Sequence, residues 1–268
     1  MNLDFHSIVR DLELVRRNKP LVLNLTNFVS AGWVANGLLA IGAAPVMSQA
    51  EEEIEELVAS SDSLVLNIGT ADRMMVGVMK RALRQASQLG KPVVLDPVGA
   101  GATPCRTRIV QELLEIGGVC VVRGNPSEVA ALAGGKSTTR GVETSLLPAE
   151  ALEYAYSINQ QYGCVVVVSG PDDLIVQSQG TARLYNGTAM MARITGMGCL
   201  ASAMIAAFCA VQPVLFSASL HAMASICIAG EKAASTGCGL GSYQTVFLDV
   251  LANLDEEIVK SLLAVECL

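Results

Sequence analysis

Short apolar runs alternate with longer stretches of mixed polarity from early in the chain. Leu21-Val22-Leu23-Asn24-Leu25 reads as a strand, followed by a helix near 31–41 and a short strand at 44–47. An acidic helix is expected from about Glu51, a strand at 63–68, and a helix at 72–89 that Gly90 and Lys91 close. Strands at 92–96 and 119–122 flank a helix at 106–116. Beyond a Gly/Ser/Thr-rich loop at 134–139, a helix is expected at 148–162, then the strand Cys164-Val165-Val166-Val167-Val168. Strands at 174–177 and 182–185 form a meander around 178–180, and the remainder is mostly helical. Strands that are nearly unbroken apolar runs belong in a parallel sheet covered on both faces. The pattern predicts one α/β domain over residues 1–268, with a mostly parallel central sheet and helices on both sides.

Ligands in such sheets bind beyond the carboxyl ends of the strands. The unusual polar residues gather at those ends: Thr26-Asn27, Asn67-Ile68-Gly69-Thr70, Asp96-Pro97-Val98-Gly99-Ala100-Gly101, Arg123-Gly124-Asn125 and Ser169-Gly170. This points to a small-molecule site along one edge of the sheet.

Composition narrows the class. A chain of 268 residues that is 51% hydrophobic can bury a large aliphatic core. A net charge of −7 disfavours nucleic acid but not a nucleotide, for which one or two cations and a helix N-terminus suffice. Eight cysteines without a C-x-x-C pair, and only two histidines, argue against a disulfide framework or a zinc site. With no apolar leader in the first eleven residues, reduced core cysteines in a cytoplasmic protein are expected. The stretch 194–230 lacks Asp, Glu, Lys and Arg. Pro213 splits it, and Ala, Ser and Gly dominate it, so it reads as two buried helices rather than a membrane span.

Thr195-Gly196-Met197-Gly198-Cys199 opens the first of these helices. Glycines there let the backbone approach a ligand, and free N–H groups favour an anion. Taken alone, G-x-G is an ordinary helix start, and no P-loop or G-x-G-x-x-G motif after the first strand is found. Cys199 lies in the first turn, where the helix field is expected to favour the thiolate. Asp96 and Glu128 could hold a hydrated Mg²⁺ against phosphate oxygens, although each also reads singly as a capping residue. Arg123 could neutralise a polyphosphate or form a surface ion pair.

Taken as a set, several blocks resemble the hydroxyethylthiazole kinases of thiamine biosynthesis, within the ribokinase-like superfamily. They are Leu25-Thr26-Asn27-Phe28-Val29, 35–43, Pro45-Val46-Met47, Asn67-Ile68-Gly69-Thr70, 96–103, Arg123-Gly124-Asn125-Pro126-Ser127-Glu128 and 194–199, in order along nearly the whole chain. The resemblance implies a homotrimer with sites between subunits, and transfer from ATP to the primary hydroxyl of 4-methyl-5-(2-hydroxyethyl)thiazole. It implies that Asn27, Val29, Met47 and Gly69 line the thiazole pocket, with Gly196 near the hydroxyl. Arg123, Ser169, Gly196 and Gly198 would contact ATP, Asp96 and Glu128 would serve Mg²⁺, and Cys199 would take the place of the aspartate base of most superfamily members. Ser169 stands where threonine is commoner, and Met197 where threonine is frequent.

Other readings stay open at this point. Another kinase of the superfamily could act on a pyrimidine, pyridoxal or sugar alcohol, though Asn27-Phe28-Val29 and Met47 suit a small apolar ring better. A superfamily dehydratase would expect an aspartate at position 199. A cysteine hydrolase would need His6 or His221 beside Cys199, and His221 reads as a core histidine. A non-catalytic nucleotide-binding protein would bind ATP without turnover.

Overall fold

Alternation along five neighbouring strands decides what faces what. In the computed structural model, which describes residues 4–135 and 146–268, the chain forms one nine-stranded sheet in the order β2-β1-β3-β4-β5-β6-β7-β8-β9. The strands are β1 (Leu21–Leu25), β2 (Ala44–Met47), β3 (Ser63–Asn67), β4 (Val93–Asp96), β5 (Val121–Gly124), β6 (Val165–Val168), β7 (Asp173–Gln177), β8 (Gly180–Leu184) and β9 (Val265–Cys267). The first six run parallel and the last three add antiparallel. The expected mostly parallel sheet is therefore present.

The helices are α1 (Phe5–Asn18), α2 (Ala31–Ala40), α3 (Ile54–Ser60), α4 (Arg73–Gln88), α5 (Pro104–Ile116), α6 (Pro126–Leu132), α7 (Leu152–Tyr162), α8 (Met197–Cys209), α9 (Leu215–Ser235), α10 (Leu240–Ala252) and α11 (Glu256–Leu262). Two hydrophobic layers result. On one face, Val22, Val65, Val94, Val121, Val165 and Val167 pack with α1, α2, α8, α9 and α10. On the other, Leu23, Leu64, Leu66, Leu95, Val122 and Val166 pack with α3, α4, α5 and α7. Successive residues of a strand point to opposite faces, so each strand feeds both layers.

Several details differ from the sequence reading. The acidic helix begins at Ile54, because Glu51 to Glu53 form a turn before it. The strand expected at 119–122 starts two residues later and ends at Gly124, which brings Arg123 onto the sheet. α1 was legible and left unassigned: Ile8, Leu12 and Val15 recur at helical spacing, and the Asp4 side chain accepts the His6 N–H at its cap. β9 interrupts the expected helical C-terminus by pairing Val265, Glu266 and Cys267 with β8. Of the loop expected at 134–139, residues 136–139 lie outside the described residues.

The uncharged stretch 194–230 forms α8 and most of α9, packed against each other over the sheet. Among the described residues, no helix is long and apolar enough to cross a membrane.

Candidate active site

The chain leaves β1 for β2 on one side and returns past it to β3 on the other, so β1 and β3 diverge at a topological switch point. Such points open a crevice at the carboxyl ends of the strands. Period 2 then aims the side chains. Asn67 follows Val65 by two residues, Asp96 follows Val94, Arg123 follows Val121, and Ser169 follows Val167. All four preceding valines belong to the layer beneath α8, so all four polar groups emerge at the strand ends on the α8 side. Asn67 and Asp96 are register partners across β3 and β4.

The N-terminus of α8 closes over this row. Gly196, its N-cap, has φ +83°, and a Cβ there would come within 2.6 Å of Ser30 Cβ. A left-handed residue crowded on its inner side is met best by glycine. Two residues on, a Cβ at Gly198 would lie 2.4 Å from Arg123 Nη1, so the guanidinium fills the space that a side chain would take. Arg123 Nη2 also donates to Ser169 Oγ, and Nη1 lies 4.0 Å from Asp96 Oδ1. Arg123 is therefore a mostly buried cation at a helix N-terminus, not the surface ion pair that the sequence left open.

Cys199 sits in the centre of a polar cluster. Its Sγ accepts from Asn27 Nδ2 at 3.3 Å and from Asn67 Nδ2 at 3.2 Å. Asn67 Nδ2 also donates to Asp96 Oδ2 at 2.8 Å, which takes the Ser202 hydroxyl at 2.9 Å. The helix field was expected to lower the Cys199 pKa, but the structure reverses this. Burial raises it, the Asp96 charge raises it further, and hydrogen bonds from Ser30, Asn27 and Asn67 oppose the rise. Desolvation of the buried sulfur disfavours the thiolate and is the largest influence on it.

The two carboxylates differ. Glu128 accepts Gly99 N–H on Oε1 at 2.7 Å and Asn125 N–H on Oε2 at 2.8 Å, and it completes a capping box on α6. Burial, followed by the Asp96 charge, pushes its pKa up to about 7. Asp96 is also raised by burial, against the opposing pull of Arg123, and its Oδ1 has no hydrogen-bond partner.

The remaining predicted residues surround this cluster. Asn27 is buried in the loop after β1, Met47 ends β2 half-buried, and Gly69 donates its N–H to Asn67 Oδ1 at 3.0 Å. Val29 is 59% exposed and its neighbour Phe28 77%. His221, the one candidate partner for a hydrolytic cysteine in a core helix, bonds instead to the buried Asp11 at 2.7 Å.

A model of the hydroxyethylthiazole kinase family matches residues 12–257. The hydroxyethylthiazole kinase of Leptospira biflexa serovar Patoc is 44% identical over 252 residues, 94% of each chain. The chain belongs to the hydroxyethylthiazole kinase family. The solved hydroxyethylthiazole kinase protein of Pyrococcus horikoshii OT3 superposes on this kinase with a TM-score of 0.90, at 38% identity, over 97% of this chain and 98% of that one. A ribokinase-like superfamily protein from Enterococcus faecalis V583, 15% identical with a TM-score of 0.63 over 90% of this chain and 89% of that one, shares the fold. The kinase is thus ribokinase-like in architecture.

Sequence reasoning missed three contributors to this kinase's site. Asn67 was noted only as a polar strand end, although its register opposite Asp96 was implied by two apolar runs of matching length. Ser202 gives no signal within an Ala/Ser-rich helix. Arg106, which donates to Val98 O and Gly69 O, ties two strand-end loops together from the first turn of α5.

Proposed function

We propose that this kinase transfers the γ-phosphoryl group of ATP to the primary hydroxyl of 4-methyl-5-(2-hydroxyethyl)thiazole. The observation that carries the reading is Cys199 under the N-terminus of α8, flanked by Asn27 and Asn67 at the switch point of the sheet. The thiazole would rest against Asn27, Val29, Met47 and Gly69, its hydroxyl near Gly196 and the Cys199 sulfur. Arg123 and Ser169 would bind the triphosphate, with the Gly196 to Gly198 N–H groups facing the transferred group.

Phosphoryl transfer passes through a loose transition state, so positioning and charge stabilisation dominate. Arg123 is already held in place by Ser169 and Gly198, and needs little reorganisation to meet developing charge. Cys199, kept as a thiol by burial, would hold the acceptor hydroxyl by a hydrogen bond, and the proton would pass late to the oxygens of the transferred phosphoryl group, when little base strength is required.

The residues present fit Mg²⁺. Asp96 Oδ1 is buried without a hydrogen-bond partner, and burial followed by the charge of Asp96 raises Glu128. Among the described residues no group of three or more acidic, His or Cys side chains converges for a metal, which suits an ion that keeps waters and takes phosphate oxygens. Asp96 would hold it, with Glu128 behind, and the ion would neutralise charge on the phosphates.

The homotrimer with sites between subunits rests on the family resemblance, with which the exposed Phe28 and Val29 beside the cluster are compatible, and we assign the kinase to the cytoplasm. Sedimentation equilibrium tests the assembly. The decisive assay is ATP consumption with Mg²⁺ and hydroxyethylthiazole, beside pyridoxal, hydroxymethylpyrimidine and ribose. Turnover confined to the thiazole, and lost with a chelator, supports the reading. Turnover with another alcohol alone overturns the substrate, and ATP use with none overturns the activity.

A further inference from the structure

Asn67 uses every hydrogen-bonding position it has. Its Oδ1 accepts from Asn27 Nδ2 and Gly69 N, both at 3.0 Å, and its Nδ2 donates to Asp96 Oδ2 and Cys199 Sγ. The orientation of an amide is normally ambiguous. Here a backbone N–H decides it: Gly69 N can only donate, so the atom facing it is oxygen, and the NH₂ group must face Asp96 and the sulfur. Asn27 is fixed the same way, because Ser30 N and Ser30 Oγ both donate to its Oδ1 at 3.0 Å. Two amide N–H groups are thereby locked onto one sulfur atom.

We propose that Asn67 is a positioning residue for phosphoryl transfer, acting through Cys199, and this rests on the function proposed above. A cysteine at a helix start can swing between staggered rotamers. Sulfur is a weak acceptor, so one donor would hold it loosely. The paired donors from β3 and the β1–α2 loop hold it at the strand ends, where the acceptor hydroxyl must lie. They also occupy the sulfur from the protein side and leave its opposite side for the acceptor hydroxyl. Asp96 contributes by taking the other N–H of Asn67 and so fixing where the amide points. With Ser202 as a second donor, Asp96 keeps a partner when Asn67 is removed.

The test is kinetic. Loss of a residue that orients a reacting group lowers kcat by about 10–100-fold, by analogy with outer-shell partners of ligating groups. Asn67→Ala is expected to show that loss with KM for the thiazole changed by less than about threefold, since the defect is in chemistry rather than binding. In a Cys199→Ala background the same substitution is expected to cost less than about threefold, because residues acting as a unit are not additive. Asn67→Asp, isosteric and still an acceptor for Gly69 and Asn27, replaces the donors with a carboxylate facing Asp96 and is expected to lose kcat further; it serves where the alanine variant does not fold. Wild-type kcat in both variants, or an undiminished loss in the Cys199→Ala background, overturns the proposal. Failure of the underlying function is seen separately, as no phosphorylated thiazole from the unmodified chain.

Discussion

At the scale of single residues, the sulfur at position 199 is the least ordinary choice. Burial raises its pKa, so it is not a thiolate waiting for an electrophile. What the proposed site needs is a hydrogen-bonding partner for the acceptor hydroxyl at a fixed point, and a carboxylate could supply one. Cys199→Asp is therefore expected to remain active, while Cys199→Ala loses about 10²–10⁴-fold in kcat, the range for a positioned acid or base. Steady-state kinetics of the two variants check this, and equal rates for Cys199→Ala and wild type would remove the sulfur from the mechanism. The candidates Cys199, Asp96, Arg123 and Glu128 were legible in the sequence because each lies at a strand end or opens a helix. The bonds that join them were not. Asn67 to Cys199 spans 132 residues of chain, and nothing local marks such a partner.

At the scale of elements, the two glycines that begin α8 serve different ends. Gly196→Ala must place a side chain at φ +83° and against Ser30, which costs stability and shifts the helix start. Gly198→Ala keeps the helix but drives a methyl into the Arg123 guanidinium. Its expected signature is a KM for ATP raised about tenfold or more, with KM for the thiazole little changed, because one charged contact to phosphate is worth about 1.5–3 kcal/mol. Separate titrations of the two substrates read this out. The strands were legible as apolar runs, but the three-residue β9 was not, since two of its side chains are exposed and pairing with β8 alone defines it.

At the scale of the whole molecule, the first helix is fastened to the core by a buried, hydrogen-bonded carboxylate. Asp11 on α1 bonds His221 on α9 and Gln212 in the turn before it, with Arg10 alongside. Despite burial, these partners hold the Asp11 carboxyl below its ordinary value of 3.8. A carboxyl with a lowered folded pKa stabilises fully above its unfolded value and loses that contribution as pH falls through the folded one. Asp11→Asn is expected to cost about 1.5–3 kcal/mol at neutral pH, the range for hydrogen bonds to a charged group. The difference in melting temperature between variant and wild type should narrow as pH drops below about 4. A gap that stays constant down to pH 3 would show that Asp11 contributes packing rather than charge.

α8 begins at the polar cluster around Cys199 and is buried along the rest of its length, from Leu200 to Cys209. Many enzymes place their chemistry on the loosest parts of the fold, which open locally at small free-energy cost. Here the helix that carries Cys199 belongs to the part that opens last. Its amide protons should exchange with solvent deuterium only through global unfolding, at one rate from the Ala201 end to the Phe208 end. Heating would then end turnover and unfold the chain in a single event, with no temperature window in which the site is lost and the fold survives.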